Sequence, residues 1–215
     1  MIDRLKKLTG HNIIELTSRG NTAIFAALYL ARQATLVEKK ITANQVLIPD
    51  QGGWFTYKKY PKLLGLEEKH IETDKGVIKT EILKQEINKN TLCLLYSNPA
   101  GYFAEQPAEE IYDICKKQGV LVILDITGCI GNGDYGEYAD ILVASFGHYK
   151  PVEVGYGGLI SIKDKRIYEK GKDIFCTTIF DERYKEKLEE KLDQLKHRYV
   201  FFNKLKKKIK KDLKE

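Results

Sequence analysis

The sequence predicts an α/β protein, a three-layer α/β/α sandwich with a mostly parallel sheet, followed by a long C-terminal helix. Three observations point to it. Short apolar, β-branched runs alternate with amphipathic helical stretches, the pattern of strand–helix–strand units. The runs are apolar at successive positions rather than alternate ones, as strands covered on both faces must be. Beyond about Asp181 the pattern gives way to one apolar stripe at helical spacing, with no strand after it.

Residues 22–37 read as the first long helix, entered through Thr17-Ser18-Arg19-Gly20-Asn21-Thr22. Val46-Leu47-Ile48-Pro49 reads as a buried strand, residues 80–87 as a helix and Leu92-Cys93-Leu94-Leu95-Tyr96 as the next strand. The helix at 108–117 is well marked: Pro107 sits at its start, Glu109 and Glu110 in its first turn, and Lys116 and Lys117 before Gly119. Val120-Leu121-Val122-Ile123-Leu124 is a strand ending at Asp125, Ile141-Leu142-Val143-Ala144 a shorter one before Ser145, and 157–162 one more. After Asp181, Leu188, Leu192, Leu195, Tyr199, Phe202, Leu205, Ile209 and Leu213 recur three or four residues apart. That stripe must be buried against the sheet domain or another chain.

A chain of 215 residues can bury one sizeable core, or one domain with an appendage. We divide it into a domain over 1–180 and a basic amphipathic helix over 181–215. At 43% hydrophobic and 31% charged residues it is globular. No apolar run approaches the ~20 residues of a membrane span, and the N-terminus lacks the apolar stretch of a secretory signal, so a cytoplasmic protein is expected. Residues 182–215 hold 13 Lys and Arg against 7 Asp and Glu, which is the whole net charge of +6. A basic end on a neutral body meets nucleic acid or an acidic partner, or is simply a solvated helix face. It carries no aromatic-interleaved patch or nucleic-acid motif, which favours the solvated face. Cys93 and Cys115 sit in apolar patterns and read as buried thiols. The cysteines and histidines show no metal-ligand spacing.

Four loops would place side chains beyond the carboxyl ends of strands, where ligands gather in open α/β sheets. Gly20-Asn21-Thr22 opens a helix, and free N–H groups with the positive dipole end suit a phosphate; the same residue types also serve as plain caps. In Asp50-Gln51-Gly52-Gly53-Trp54-Phe55-Thr56-Tyr57, Trp54 either stacks on a flat ring or anchors the following helix in the core. In Tyr96-Ser97-Asn98-Pro99-Ala100-Gly101-Tyr102, the Asn98 amide either bonds a ring hydroxyl or belongs to an Asn-Pro turn. The fourth loop sets Asp125 and Thr127 before Ser145-Phe146-Gly147-His148-Tyr149-Lys150 and Gly155-Tyr156-Gly157-Gly158. A carboxylate ending a buried strand is costly unless a cation meets it, and a pyridinium nitrogen is such a cation; otherwise Asp125 is a turn residue. A strand-ending Asp followed by a loop Lys is the layout of a pyridoxal-phosphate site.

In order, G-N-T at a helix start, N-P-x-G, a strand-ending D, and S-F-x-x-x-K followed by G-x-G-G resemble the fold-type I pyridoxal-phosphate enzymes. Within these the chain is most similar to the DegT/DnrJ/EryC1/StrS sugar aminotransferase-like group, or to a related archaeal set, over about residues 12–162. The resemblance implies the large cofactor domain of that fold, with pyridoxal 5'-phosphate as cofactor. It implies Lys150 as Schiff-base lysine and Asp125 as partner of the ring nitrogen. Thr127 and Trp54 would lie on the two ring faces, Gly20, Asn21, Thr22 and Ser145 on the phosphate, and Asn98 near the ring hydroxyl. It further implies a homodimer with sites at the subunit interface and an amine or amino-acid substrate. Transamination is the default activity, although a lyase, racemase or decarboxylase would use the same residues. Full-length members carry a second, smaller domain that often supplies an arginine for the substrate carboxylate. This chain ends after one helix, and Arg166, Arg183 and Arg198 lie in no such motif. The rival expectation is therefore a truncated, non-catalytic relative that acts as a binding or interaction module.

Overall fold

The computed structural model describes residues 1–37, 43–101 and 104–213. Tyr102 of the third loop and Lys214 of the basic end lie outside them. The helices are α1 (Ile2–Thr9), α2 (Gly20–Val37), α3 (Tyr60–Leu63), α4 (Thr80–Glu86), α5 (Ala108–Lys117), α6 (Lys165–Glu169) and α7 (Lys185–Asp212). The strands are β1 (Ile13–Thr17), β2 (Gln45–Pro49), β3 (Glu67–Ile71), β4 (Thr73–Asp74), β5 (Val77–Ile78), β6 (Thr91–Ser97), β7 (Leu121–Asp125), β8 (Ile141–Ser145) and β9 (Gly158–Ile162).

Seven strands form one sheet in the order β1-β9-β8-β7-β6-β2-β3, and β4 and β5 form a separate small hairpin. Strands β3, β2, β6, β7 and β8 are mutually parallel, while β9 runs against both β8 and β1. Both faces are covered. Leu94, Tyr96, Val122 and Leu124 point to one apolar layer with α1, α4, α5 and the first half of α7. Cys93, Leu95 and Ile123 point to the other, with α2 and α6. The fold class read from the sequence is the observed one.

Within the seven-stranded sheet, the two strands that the apolar runs do not reveal, β1 and β3, are its two edges. Their sequences, Ile-Ile-Glu-Leu-Thr and Glu-Glu-Lys-His-Ile, carry charges, as edge strands do to discourage further pairing. Helix α2 meets β8 and β9 closely. Its buried residues include the small Ala23, Ala26, Ala27 and Ala31 beside the larger Ile24, Leu28 and Leu30. Gly158 completes that fit, since a Cβ there would lie 2.7 Å from both the Ala144 carbonyl oxygen and the Gly20 nitrogen.

Within one chain the C-terminal stripe is buried only at its start. Leu188, Leu192 and Leu195 belong to the core, and the Tyr199 hydroxyl donates to the Ile130 carbonyl at 2.9 Å. Farther on, Leu205, Ile209 and Leu213 are exposed. No helix among the described residues is long and apolar enough to cross a membrane.

Candidate cofactor site

The carboxyl ends of β6, β7 and β8 open into a cavity of about 560 Å³. Its wall includes Gly20, Asn21, Trp54, Asn98, Asp125, Thr127, Ser145 and Lys150. Eight of the nine candidate site residues are thus gathered from four separate loops around one space. The ninth, Thr22, is not on the wall; its hydroxyl shares a hydrogen bond with Ser18 at 3.2 Å.

Asp125 ends β7 and is buried. Its Oδ1 accepts the Thr127 N–H at 2.9 Å and its Oδ2 accepts the Tyr57 hydroxyl at 2.8 Å. Burial raises the carboxyl above its ordinary range, opposed by hydrogen bonds from Thr127 and Tyr57 and by the charge of Lys150. A buried carboxylate facing a cavity is a place for a cationic group. The Lys150 ammonium lies 5.6 Å from the centre of the Trp54 ring. Trp54 is 41% exposed and lines the cavity, so it does not anchor a helix in the core.

Gly20 and Ser145 are pressed together: a Cβ on Gly20 would come within 2.5 Å of the Ser145 Cβ. This brings the start of α2 onto the end of β8. The Ser145 N–H donates to the Thr127 hydroxyl at 2.9 Å, which fixes Thr127 beside Asp125. Asn98 is buried and largely committed to the fold. Its Oδ1 accepts the Gln106 N–H at 2.9 Å, and its Nδ2 faces the Cys129 sulfur at 3.8 Å. Burial pushes the Cys129 thiol up to about 12, so it stays protonated and donates to the Asn98 carbonyl at 3.1 Å.

Sequence reasoning missed Tyr57, although the signal was present. A strand-ending Asp in an apolar layer needs donors, and a tyrosine three residues after Trp54 can supply one. The structure seats it against Gly53, whose φ of 70° admits few other residues and where a Cβ would lie 2.7 Å from the Tyr57 ring. Tyr57→Phe leaves Asp125 Oδ2 without this donor. We expect a loss of about 1–3 kcal/mol in the unliganded protein, read by urea unfolding; an unchanged midpoint would show that the bond contributes nothing. Phe202 of α7, also on the cavity wall, was read only as part of an apolar stripe.

The fold is an α/β sandwich with an open cavity, a candidate ligand site, at the carboxyl edge of its parallel strands. Residues 23–197 match the DegT/DnrJ/EryC1/StrS aminotransferase family. The chain belongs to that family, whose members depend on pyridoxal phosphate, as the motifs implied. No curated protein is significantly similar to it in sequence.

Among solved structures it is similar to 3-amino-5-hydroxybenzoic acid synthase (TM-score 0.66, 18% identity, 80% of this chain and 44% of that one). It is also similar to a Helicobacter pylori aminotransferase involved in the biosynthesis of pseudoaminic acid (0.62, 19%, 79% and 45%). A third is D-glucosaminate-6-phosphate ammonia-lyase (0.68, 16%, 91% and 56%). At these identities the likeness is one of fold, and the chain spans about half the length of each.

Proposed function

We propose that the chain binds pyridoxal 5'-phosphate in this cavity and acts on an amine or amino-acid substrate in an aminotransferase-like reaction. The observation that carries the reading is the pairing of a buried carboxylate, Asp125, with Lys150 on the wall of one cavity. The residues present fit the group. Gly20 lacks the Cβ that would collide with Ser145, so the N–H groups opening α2 and the Ser145 hydroxyl can converge on a phosphate. Asp125 has the charge and burial to meet a ring nitrogen that carries a proton.

When bound, the cofactor supplies an aldehyde that condenses with primary amines and a ring that draws electrons from the bond being broken. Lys150 is the residue that would bind that aldehyde carbon through Nζ and carry the proton to and from the substrate Cα. Asp125 would keep the ring nitrogen protonated. Gly20, Asn21 and Ser145 would hold the phosphate, with Thr22 braced behind them on Ser18. Trp54 and Thr127 would lie against the ring faces, and Asn98 would approach the ring hydroxyl through its weakly engaged amide nitrogen. In this reading 1–180 is the cofactor-binding domain and 181–215 the basic helix attached to it.

Titration of the purified chain with the cofactor tests the reading. A saturable visible band at one equivalent per chain, bleached by borohydride, is expected; its absence would overturn the proposal.

We also read the chain as a homodimer acting in the cytoplasm. Exposed Phe201, Leu205 and Ile209 on α7, with Leu213 capping its end, form an apolar row that monomers rarely leave open. Cys93, Cys115, Cys129 and Cys176 are all free thiols, as a reducing compartment keeps them. Sedimentation at micromolar concentration should give a dimer that Leu205→Glu with Ile209→Glu dissociates. A monomer indifferent to both changes would contradict it.

A further inference from the structure

Tyr149 has a left-handed backbone, with φ at 62°. A residue other than glycine is strained there, so its surroundings must hold it in place. Its own ring does not, being 92% exposed. What holds it is the N–H, which donates to Glu153 Oε1 at 2.7 Å. The other carboxylate oxygen, Oε2, accepts from Arg198 at 2.8 Å. These two donors keep the Glu153 carboxyl below its ordinary range, the Tyr149 N–H first and Arg198 second, so it is ionised at neutral pH. Arg198 belongs to α7 and lies over the Phe202 ring, 5.3 Å from its centre, where Phe202 forms part of the cavity wall. The residue after Tyr149 is Lys150.

We propose that Glu153 and Arg198 are positioning residues: they tie the Lys150 loop to α7, hold Tyr149 in its left-handed form and so keep Lys150 Nζ in reach of the cavity. The inference rests on the reading of Lys150 given above. An untied loop would relax Tyr149 to ordinary backbone and re-aim the next side chain. As an ion pair, Glu153–Arg198 contributes little to stability, since both side chains keep about a third of their exposure, 29% and 31%. Its effect lies in geometry. It also gives the first half of α7 a part in the site, which the apolar stripe alone does not suggest.

Two ligands with the same phosphate and a closely similar ring separate this role from a structural one. Pyridoxal 5'-phosphate has the aldehyde; pyridoxine 5'-phosphate has an alcohol there and cannot bond to a lysine. The preference for the first over the second reads the reach of Lys150, and Lys150→Ala should abolish it. Glu153→Ala should lower that preference about tenfold, the scale of one lost charge-assisted hydrogen bond, and leave pyridoxine 5'-phosphate binding unchanged. Glu153→Gln, which can still accept from Tyr149 but loses the charge, should fall between. Arg198→Ala should reproduce part of the loss and add nothing to Glu153→Ala.

Equal weakening of both ligands, no weakening of either, or an unfolded Glu153→Ala protein would overturn the inference while leaving the function standing. A wild-type chain that binds both ligands equally would overturn the role of Lys150 and this inference with it. One that binds neither would overturn the proposed function as well.

Discussion

Asp125→Asn is expected to weaken pyridoxal 5'-phosphate binding by more than about a hundredfold, the scale of breaking one partner out of a buried charge pair. The unliganded protein should stay folded and, at neutral pH, be at least as stable as the wild type. The sign follows from burial, which raises the carboxyl in the folded chain above its ordinary value. Below the ordinary carboxylate range the group is protonated whether folded or not, and the penalty vanishes. As pH rises from there towards the folded-state value, the unfolded chain ionises first and folding loses stability. The asparagine lacks this loss, so its advantage should grow across that window and then level off. An amide also keeps the local bonds: its oxygen can accept the Thr127 N–H, and its nitrogen can donate to the Tyr57 hydroxyl. Calorimetry with the cofactor, together with urea unfolding across pH, reads both effects. An unfolded variant, or one that binds the cofactor as the wild type does, would make Asp125 a structural residue.

The second large effect lies in α7. Leu192→Ala and Leu195→Ala each remove a side chain that is 4% exposed and packed in the core layer with Val122 and Leu124. Each should cost about 2–5 kcal/mol, a large share of the ~5–15 kcal/mol typical of a whole domain. Ile209→Ala, 47% exposed, should stay within about 0.5 kcal/mol in the monomer. Urea unfolding distinguishes them. If Leu192→Ala matches Ile209→Ala, the whole helix is an attachment that the core does not need.

The central strands were legible because burial on both faces writes an unbroken apolar run, as in Leu92 to Tyr96. The edges were not, because charges such as Glu15 and Glu67 that protect an edge also hide it. The residues that line the cavity were legible where one residue type carries its own chemistry: Asp125 at a strand end, Lys150 in a loop, Gly20 at a helix start. They were not legible where the role depends on a long-range meeting. Tyr57 lies 68 residues from the carboxylate it bonds, and Arg198 lies 45 residues from Glu153. No local pattern records such distances. Trp54 was undecided for the same reason, since stacking and core anchoring demand the same aromatic and only its exposure separates them.

The most direct measurement is to load the chain with pyridoxal 5'-phosphate, reduce it with borohydride, digest it and locate the adduct by mass spectrometry. A single pyridoxyl group on Lys150 is the predicted result. An adduct on another lysine, one spread over the surface lysines, or none at saturating cofactor would contradict the assignment of this cavity.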